Sequence, residues 1–167
     1  MTDGTQTLRA QTYRLGIAVF PQPDSVWPAV VALLDGGIRL HQLCLAASPR
    51  TLALLPASAH PYRTRQPELD RLLDHVSSTH AHAPDAQERL IVRFDRSGDA
   101  DGEAQAGQAD WTRPELCSNV LEQLVVDAVV LGVSSETNRQ QFVSTRILLE
   151  YSSQRVLTQE FVLPGHH

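Results

Sequence analysis

Polar residues follow a short apolar run in the last third of the chain. The run 127–132 (DAVVLG) ends in glycine, and Ser134, Ser135 and Asn138 come directly after it. Hydroxyl and amide groups donate hydrogen bonds to anions, and glycine lets the backbone approach such a ligand. Because open α/β sheets bind ligands at the carboxyl ends of their strands, we predict a site for a small anionic ligand at Gly132, Ser134, Ser135 and Asn138. The same residues also suit an ordinary capped turn that leads into a helix.

A second segment is expected to join this site. The loop 20–25 (FPQPDS) follows the first apolar run of the chain and carries Asp24 and Ser25. If the two strands are parallel, their carboxyl ends meet at one edge of the sheet. We therefore add Asp24 and Ser25 to the predicted ligand-binding residues.

Three histidines with two neighbouring aspartates have the residue types of a metal site. His75, His80 and His82 lie within eight residues, beside Asp74 and Asp85. Imidazole and carboxylate suit zinc, but no third ligand stands at a recognised spacing. We predict no metal site, and a metal-dependent hydrolase ranks third among the functional hypotheses.

Other catalytic chemistry finds little support in the sequence. All 14 basic residues are arginine, which excludes a Schiff-base lysine and a Walker-type phosphate-binding lysine. The chain has no Gly-x-Ser-x-Gly motif, and Cys44 and Cys117 lie in apolar surroundings. We predict no catalytic residue and no cofactor, and a binding protein is favoured over an enzyme.

Composition and charge limit the class of protein. The 167 residues and the 42% hydrophobic content suit one packed domain, and the net charge of -5 disfavours nucleic acid as a partner. Two cysteines do not make a disulfide framework, and no apolar run is long enough to span a membrane. We expect a cytoplasmic protein that contacts no membrane.

The periodicity of apolar residues predicts alternating strands and helices. Residues 1–11 read as a disordered lead, 12–163 as a single domain with a mobile acidic insertion at 97–110, and 164–167 as a tail. The segment 51–55 suits a short strand or a loop, and 141–163 suits a helix followed by a strand, with a hairpin as the alternative. Strands are predicted at 13–20, 40–47, 89–94, 127–132 and 155–163, and helices at 26–34, 67–76, 111–126 and from about residue 135.

This alternation predicts a three-layer α/β domain with a mostly parallel five-stranded sheet. The block 126–132, followed by 144–150 and 155–157, resembles the corresponding strand, helix and strand of the universal stress protein family. The resemblance implies a doubly wound fold. Members that bind ATP have glycines where this chain has Ser135 and Thr145, so the resemblance does not extend to nucleotide binding.

Residues 13–95 are also similar to the β-α-β-β-α-β unit of ferredoxin-like domains in bacterial general-stress and regulatory proteins, which gives an α+β alternative. The leading functional hypothesis is a stress-related or regulatory protein, expected to be a homodimer, that binds a small molecule without catalysis. The alternative is a ferredoxin-like regulatory or assembly module that acts through its oligomeric interface.

Overall fold

The computed structural model describes residues 11–64, 66–81, 90–93, 128–152 and 156–163. The predicted lead up to residue 10, the acidic insertion 97–110, the helix 111–126 and the tail 164–167 lie outside these ranges. The strands are β1 (Gln11–Phe20), β2 (Leu43–Ala47), β3 (Leu90–Arg93), β4 (Val129–Ser135) and β5 (Leu157–Leu163). The helices are α1 (Val26–Asp35), α2 (Pro49–Ser58), α3 (Glu68–Ala81) and α4 (Asn138–Tyr151), with 3-10 turns at 23–25, 40–42 and 60–62.

The five strands form one sheet in the order β3-β2-β4-β1-β5, and every neighbouring pair is antiparallel. Phe20, the last residue of β1, pairs with Val129 at the start of β4, whereas Arg14 pairs with Ser135 at its end. The prediction of a mostly parallel, doubly wound sheet is therefore wrong. The fold is an α+β arrangement of an antiparallel sheet with helices.

The parallel sheet was predicted wrongly because a third strand lies between two strands that a helix connects along the chain. β1 and β2 run in the same direction on either side of β4, and β4 and β5 run in the same direction on either side of β1. Each pair and its helix form a split β-α-β unit. A strand–helix–strand pattern in the sequence does not reveal whether a third strand lies between the two. The described elements within 13–95 are β1, α1, β2, α2, α3 and β3, so two helices follow β2 where the β-α-β-β-α-β unit has a strand and a helix.

The helix boundaries follow local signals. α1 ends in a Schellman motif, in which Gly37 donates to the carbonyl of Leu34 and Ile38 to that of Leu33. Gly37 has a φ of +87°, a conformation that glycine adopts without strain. In α2, the Ser48 hydroxyl accepts from the Thr51 N–H at 3.2 Å, so the segment predicted as strand or loop is a capped helix.

Both faces of the central strands are buried. Residues of α1, α2, α3 and α4 join one cluster, which includes Ala18, Leu45 and Leu131 of the sheet. The opposite face carries a second buried cluster to which none of the described helices contributes: Leu15, Ile17, Val19, Cys44, Ala46, Ala128 and Val130. Strands of an antiparallel sheet with two covered faces are continuously apolar, and for this reason they resemble buried parallel strands in sequence.

The last third of the chain is a helix followed by a strand, as favoured over the hairpin. α4 begins where the Thr137 side chain accepts from the Gln140 N–H at 3.1 Å, and β5 then pairs with β1. The pairing is antiparallel, not parallel as expected. Among the described helices, none has the length and hydropathy that crossing a membrane requires.

Candidate functional site

The two segments predicted to form one site lie at opposite ends of the sheet. Because β1 and β4 are antiparallel, the end of β1 at Phe20 lies beside Val129, six residues from Ser135 at the end of β4. At about 3.3 Å per residue, the two strand ends are about 20 Å apart. Asp24 and Ser25 therefore do not approach Ser134, Ser135 or Asn138, and the predicted composite site does not form.

Ser135 and its neighbours take part in internal structure. Ser135 is 2% exposed, and its hydroxyl lies 3.2 Å from that of Ser144 in α4. The Ser144 hydroxyl in turn donates to the carbonyl of Gln141 at 3.1 Å. Gly132 lies inside β4, paired with Ile17 and Cys44 and not in the loop. The Ser135 hydroxyl is thus turned into the helix–sheet interface, away from any ligand in the loop.

A buried glutamine joins the end of β4 to the start of α4. The Gln42 amide donates to the carbonyl of Ser134 at 2.9 Å and to Gln140 Oε1 at 3.2 Å. Gln140 Oε1 also accepts from the Glu136 N–H at 3.0 Å. Among the described side chains, no buried nitrogen or oxygen atom lacks a hydrogen-bond partner. This pattern is that of a capped turn, the alternative that the sequence left open.

Asn138 and Ser25 have local partners as well. Asn138 Oδ1 accepts from the guanidinium of Arg14, whose Nε also lies 3.7 Å from Glu160 Oε2. Ser25 donates its hydroxyl proton to the carbonyl of Gln22 at 2.6 Å, and Asp24 is exposed in the same 3-10 turn. Asn138 is thus held to β1, and Ser25 to its own 3-10 turn.

The histidine segment differs from its prediction in secondary structure. The helix predicted at 67–76 extends as far as Ala81, the last residue of α3. The side chains of His75 and His80, and the whole of His82, lie outside the described part of the structure. Among the side chains that are described, no three His, Cys, Asp or Glu groups lie close enough to hold a metal ion.

Two surface features escaped the prediction from sequence. The first is a shallow groove of about 170 Å³ along α1, lined by Tyr62, Tyr151, Asp35 and three apolar residues of α1. The second is a pair of exposed apolar side chains on α4, since Phe142 is 69% and Leu149 59% exposed. Residues seven positions apart lie on the same face of a helix, so the sequence indicates that these two side chains are neighbours if the segment is helical. It does not indicate that this face is exposed.

The orientation of α4 follows from its contacts. Leu148 is buried against Gly16 of β1, and Val143 and Ile147 lie against Gly36 at the end of α1. At about 100° per residue, Ile147 and Leu149 point about 100° to either side of Leu148. Leu149, and Phe142 two turns before it, therefore lie on the flank of α4 that faces away from α1.

No family model, curated protein or solved structure matches the chain. The resemblances to universal stress proteins and to ferredoxin-like domains therefore stay predictions. Fold and surface together define the class: an antiparallel α+β protein with an exposed apolar flank on its helix α4.

Proposed function

We propose that the protein is a regulatory or assembly module that acts by pairing with a second copy of itself. The observation that carries this proposal is the exposure of Phe142 and Leu149 on the flank of α4 away from α1. The order of the sheet adds support. α1 crosses between β1 and β2, and α4 between β4 and β5, so the flank of α4 away from α1 is the flank on the β5 side.

The sheet edge formed by β5 is the second feature that favours pairing with another copy. β5 is a terminal strand of the sheet, and none of the described strands pairs with its outer edge. Such an edge presents unpaired backbone donors and acceptors to another chain. We call Phe142, Thr145, Leu149 and the outer edge of 157–163 the α4–β5 surface.

A two-fold axis through the α4–β5 surface pairs the outer edges of the two β5 strands and turns the exposed flanks of the two α4 helices toward each other. Two copies of β5 related by an axis perpendicular to the sheet are antiparallel, and the two α4 helices then lie on the same face of a continuous sheet. α4 has 14 residues and β5 has 7, which correspond to lengths of about 21 and 23 Å. An axis near the middle of α4 places Phe142 opposite Leu149 of the partner subunit.

The charge at the middle of β5 modulates this pairing. Glu160 is the central residue of the strand, so a centred register brings the two Glu160 carboxylates close together. Arg14, with its Nε 3.7 Å from the Glu160 carboxylate, offsets part of the repulsion. Glu160→Gln is expected to tighten the dimer by about threefold.

The proposal also draws on the folding pattern. Two interleaved split β-α-β units, with the order β2-β4-β1-β5, are the arrangement of ferredoxin-like domains, which supports the assembly hypothesis over the small-molecule one. We place the protein in the cytoplasm, because Cys44 is buried in β2 and the chain is too poor in cysteine for a disulfide framework.

Sedimentation of the whole protein from about 1 to 100 µM tests the proposal. A monomer–dimer equilibrium or a stable dimer supports it, and a monomer throughout contradicts it. A mixing experiment tests the geometry. Phe142→Asp and Leu149→Lys should each weaken self-association, whereas a mixture of the two variants should form a heterodimer with one Asp–Lys contact and one native contact. Failure of the mixture to associate would rule out the Phe142–Leu149 pairing.

A further inference from the structure

The groove along α1 has a composition suited to a positively charged ligand. Pro28, Val31 and Ala32 form its floor on α1, and Asp35 at the end of α1 supplies a carboxylate. Tyr62 of the 3-10 turn 60–62 and Tyr151 of α4 supply aromatic rings. The groove lies on the α1 side of α4, away from the α4–β5 surface.

The volume restricts what the groove accepts. Its 170 Å³ lie well below the roughly 300 Å³ at which drug-sized sites begin. Pro28 and Asp35 lie seven residues apart on one helix face, a distance of about 10 Å. A nucleotide is too large for this groove, whereas a short, extended molecule of a few heavy atoms fits it.

The charges around the groove favour a cation. Asp35 is exposed at the C-terminal end of α1, where the helix dipole adds partial negative charge. Its Oδ1 accepts from the neutral Gln66 amide, which holds the carboxylate in place, and none of the described arginine side chains forms an ion pair with it. Arg63, which follows Tyr62 in the chain, has its Nε 3.6 Å from Asp70 Oδ1 and is thus paired with that carboxylate.

The tyrosines provide the second attraction. Tyr151 is 38% exposed and Tyr62 half-buried, so both side chains are accessible at the wall of the groove. A cation over the face of a tyrosine ring gains about 0.5–1 kcal/mol at an exposed site, and an alkyl stem packs on the apolar floor.

We infer that this groove binds a small organic cation, an ammonium or guanidinium group on a short alkyl stem. The inference rests on the groove alone and is independent of the proposed assembly.

Titration of the ¹⁵N-labelled protein with butylammonium, monitored by amide chemical shifts, tests the inference. The shifts should saturate and cluster at Val31, Asp35, Tyr62 and Tyr151. 1-Butanol, which has the same stem without the charge, should bind at least about fivefold more weakly. A parallel titration with butylguanidinium establishes which cationic head group is preferred.

Variants of the groove distinguish the contribution of the Asp35 charge to binding from that of the tyrosine ring. Asp35→Asn keeps an oxygen that can accept from Gln66, so the fold should persist while affinity falls about fivefold. Tyr151→Leu should lower affinity by a similar factor. Asp74→Asn, an exposed position on α3, should leave binding unchanged. Equal binding of butylammonium and 1-butanol, no response to Asp35→Asn, or shifts outside the groove would overturn the inference.

Discussion

The contribution of Phe142 to assembly can be estimated separately from its contribution to folding. A phenylalanine buries about 200 Å² when fully enclosed. Phe142 is 69% exposed in the single chain, so about 140 Å² is available to a partner and about 60 Å² is already buried. At about 25 cal/mol per Å², these areas correspond to about 3.5 kcal/mol per copy in a dimer and about 1.5 kcal/mol within the chain.

Phe142→Asp should therefore weaken the dimer much more than it destabilises the fold. Measured interface energies fall below the area limit because association also orders side chains and desolvates polar groups. We expect the dimer dissociation constant to rise at least about 100-fold, which is about 2.8 kcal/mol shared between two copies. The free energy of unfolding should fall by no more than about 1.5 kcal/mol.

Sedimentation equilibrium measures the first quantity and urea unfolding the second. Unfolding is best followed at a protein concentration at which the wild type is monomeric, because dimerisation itself adds to apparent stability. Leu54→Asp is the matched control, since Leu54 is 56% exposed on α2. The reasoning is refuted if Phe142→Asp leaves the dissociation constant within about threefold of the wild type, or if Leu54→Asp weakens the dimer equally.

The remaining predictions concern folding stability and are checked by urea unfolding. Thr137→Ala removes the cap of α4 and should cost about 1 kcal/mol. Gly36→Ala should cost about 1–3 kcal/mol, because the new Cβ would lie 2.9 Å from Val143 Cγ1 and 3.2 Å from the Ala32 carbonyl oxygen; a neutral result would contradict this packing. Ser135→Ala should lower the free energy of unfolding by only about 1 kcal/mol, since the Ser144 hydroxyl keeps its bond to the Gln141 carbonyl. Nucleotides should stabilise neither the wild type nor this variant. If a nucleotide stabilised the wild type and Ser135→Ala abolished the effect, the predicted site at Ser135 would be restored.

Local signals in the sequence were sufficient for several elements. The glycine pair after α1 and the apolar spacing of α3 predicted where these helices lie, because capping and amphipathicity act over a few residues. The helix-then-strand interpretation of the last third was likewise correct. The segment 51–55 was ambiguous because Pro49 and Pro56 on either side of it obscured the helical pattern, and the Ser48 cap was not recognised.

The candidate site depended on information that the sequence does not hold. The prediction joined Ser135 to Asp24 by assuming parallel strands, and the antiparallel pairing of β1 with β4 separates them by the length of a strand. Ser135 was expected to face a ligand, whereas α4 packs over it and brings Ser144 within hydrogen-bonding distance. Such contacts depend on which elements pack together, and residue type alone does not determine them.

The sequence by itself thus determined where most of the described strands and helices form, α2 being the exception, since hydrogen bonding within a helix and the alternation of a strand are local properties. It also determined that lysine chemistry is absent, since the chain contains no lysine. Only the tertiary structure decided the direction of the strands, because β4 inserts between β1 and β2 from more than 80 residues away in the chain. That insertion buries Ser135 beneath α4 and leaves β5 at an edge of the sheet.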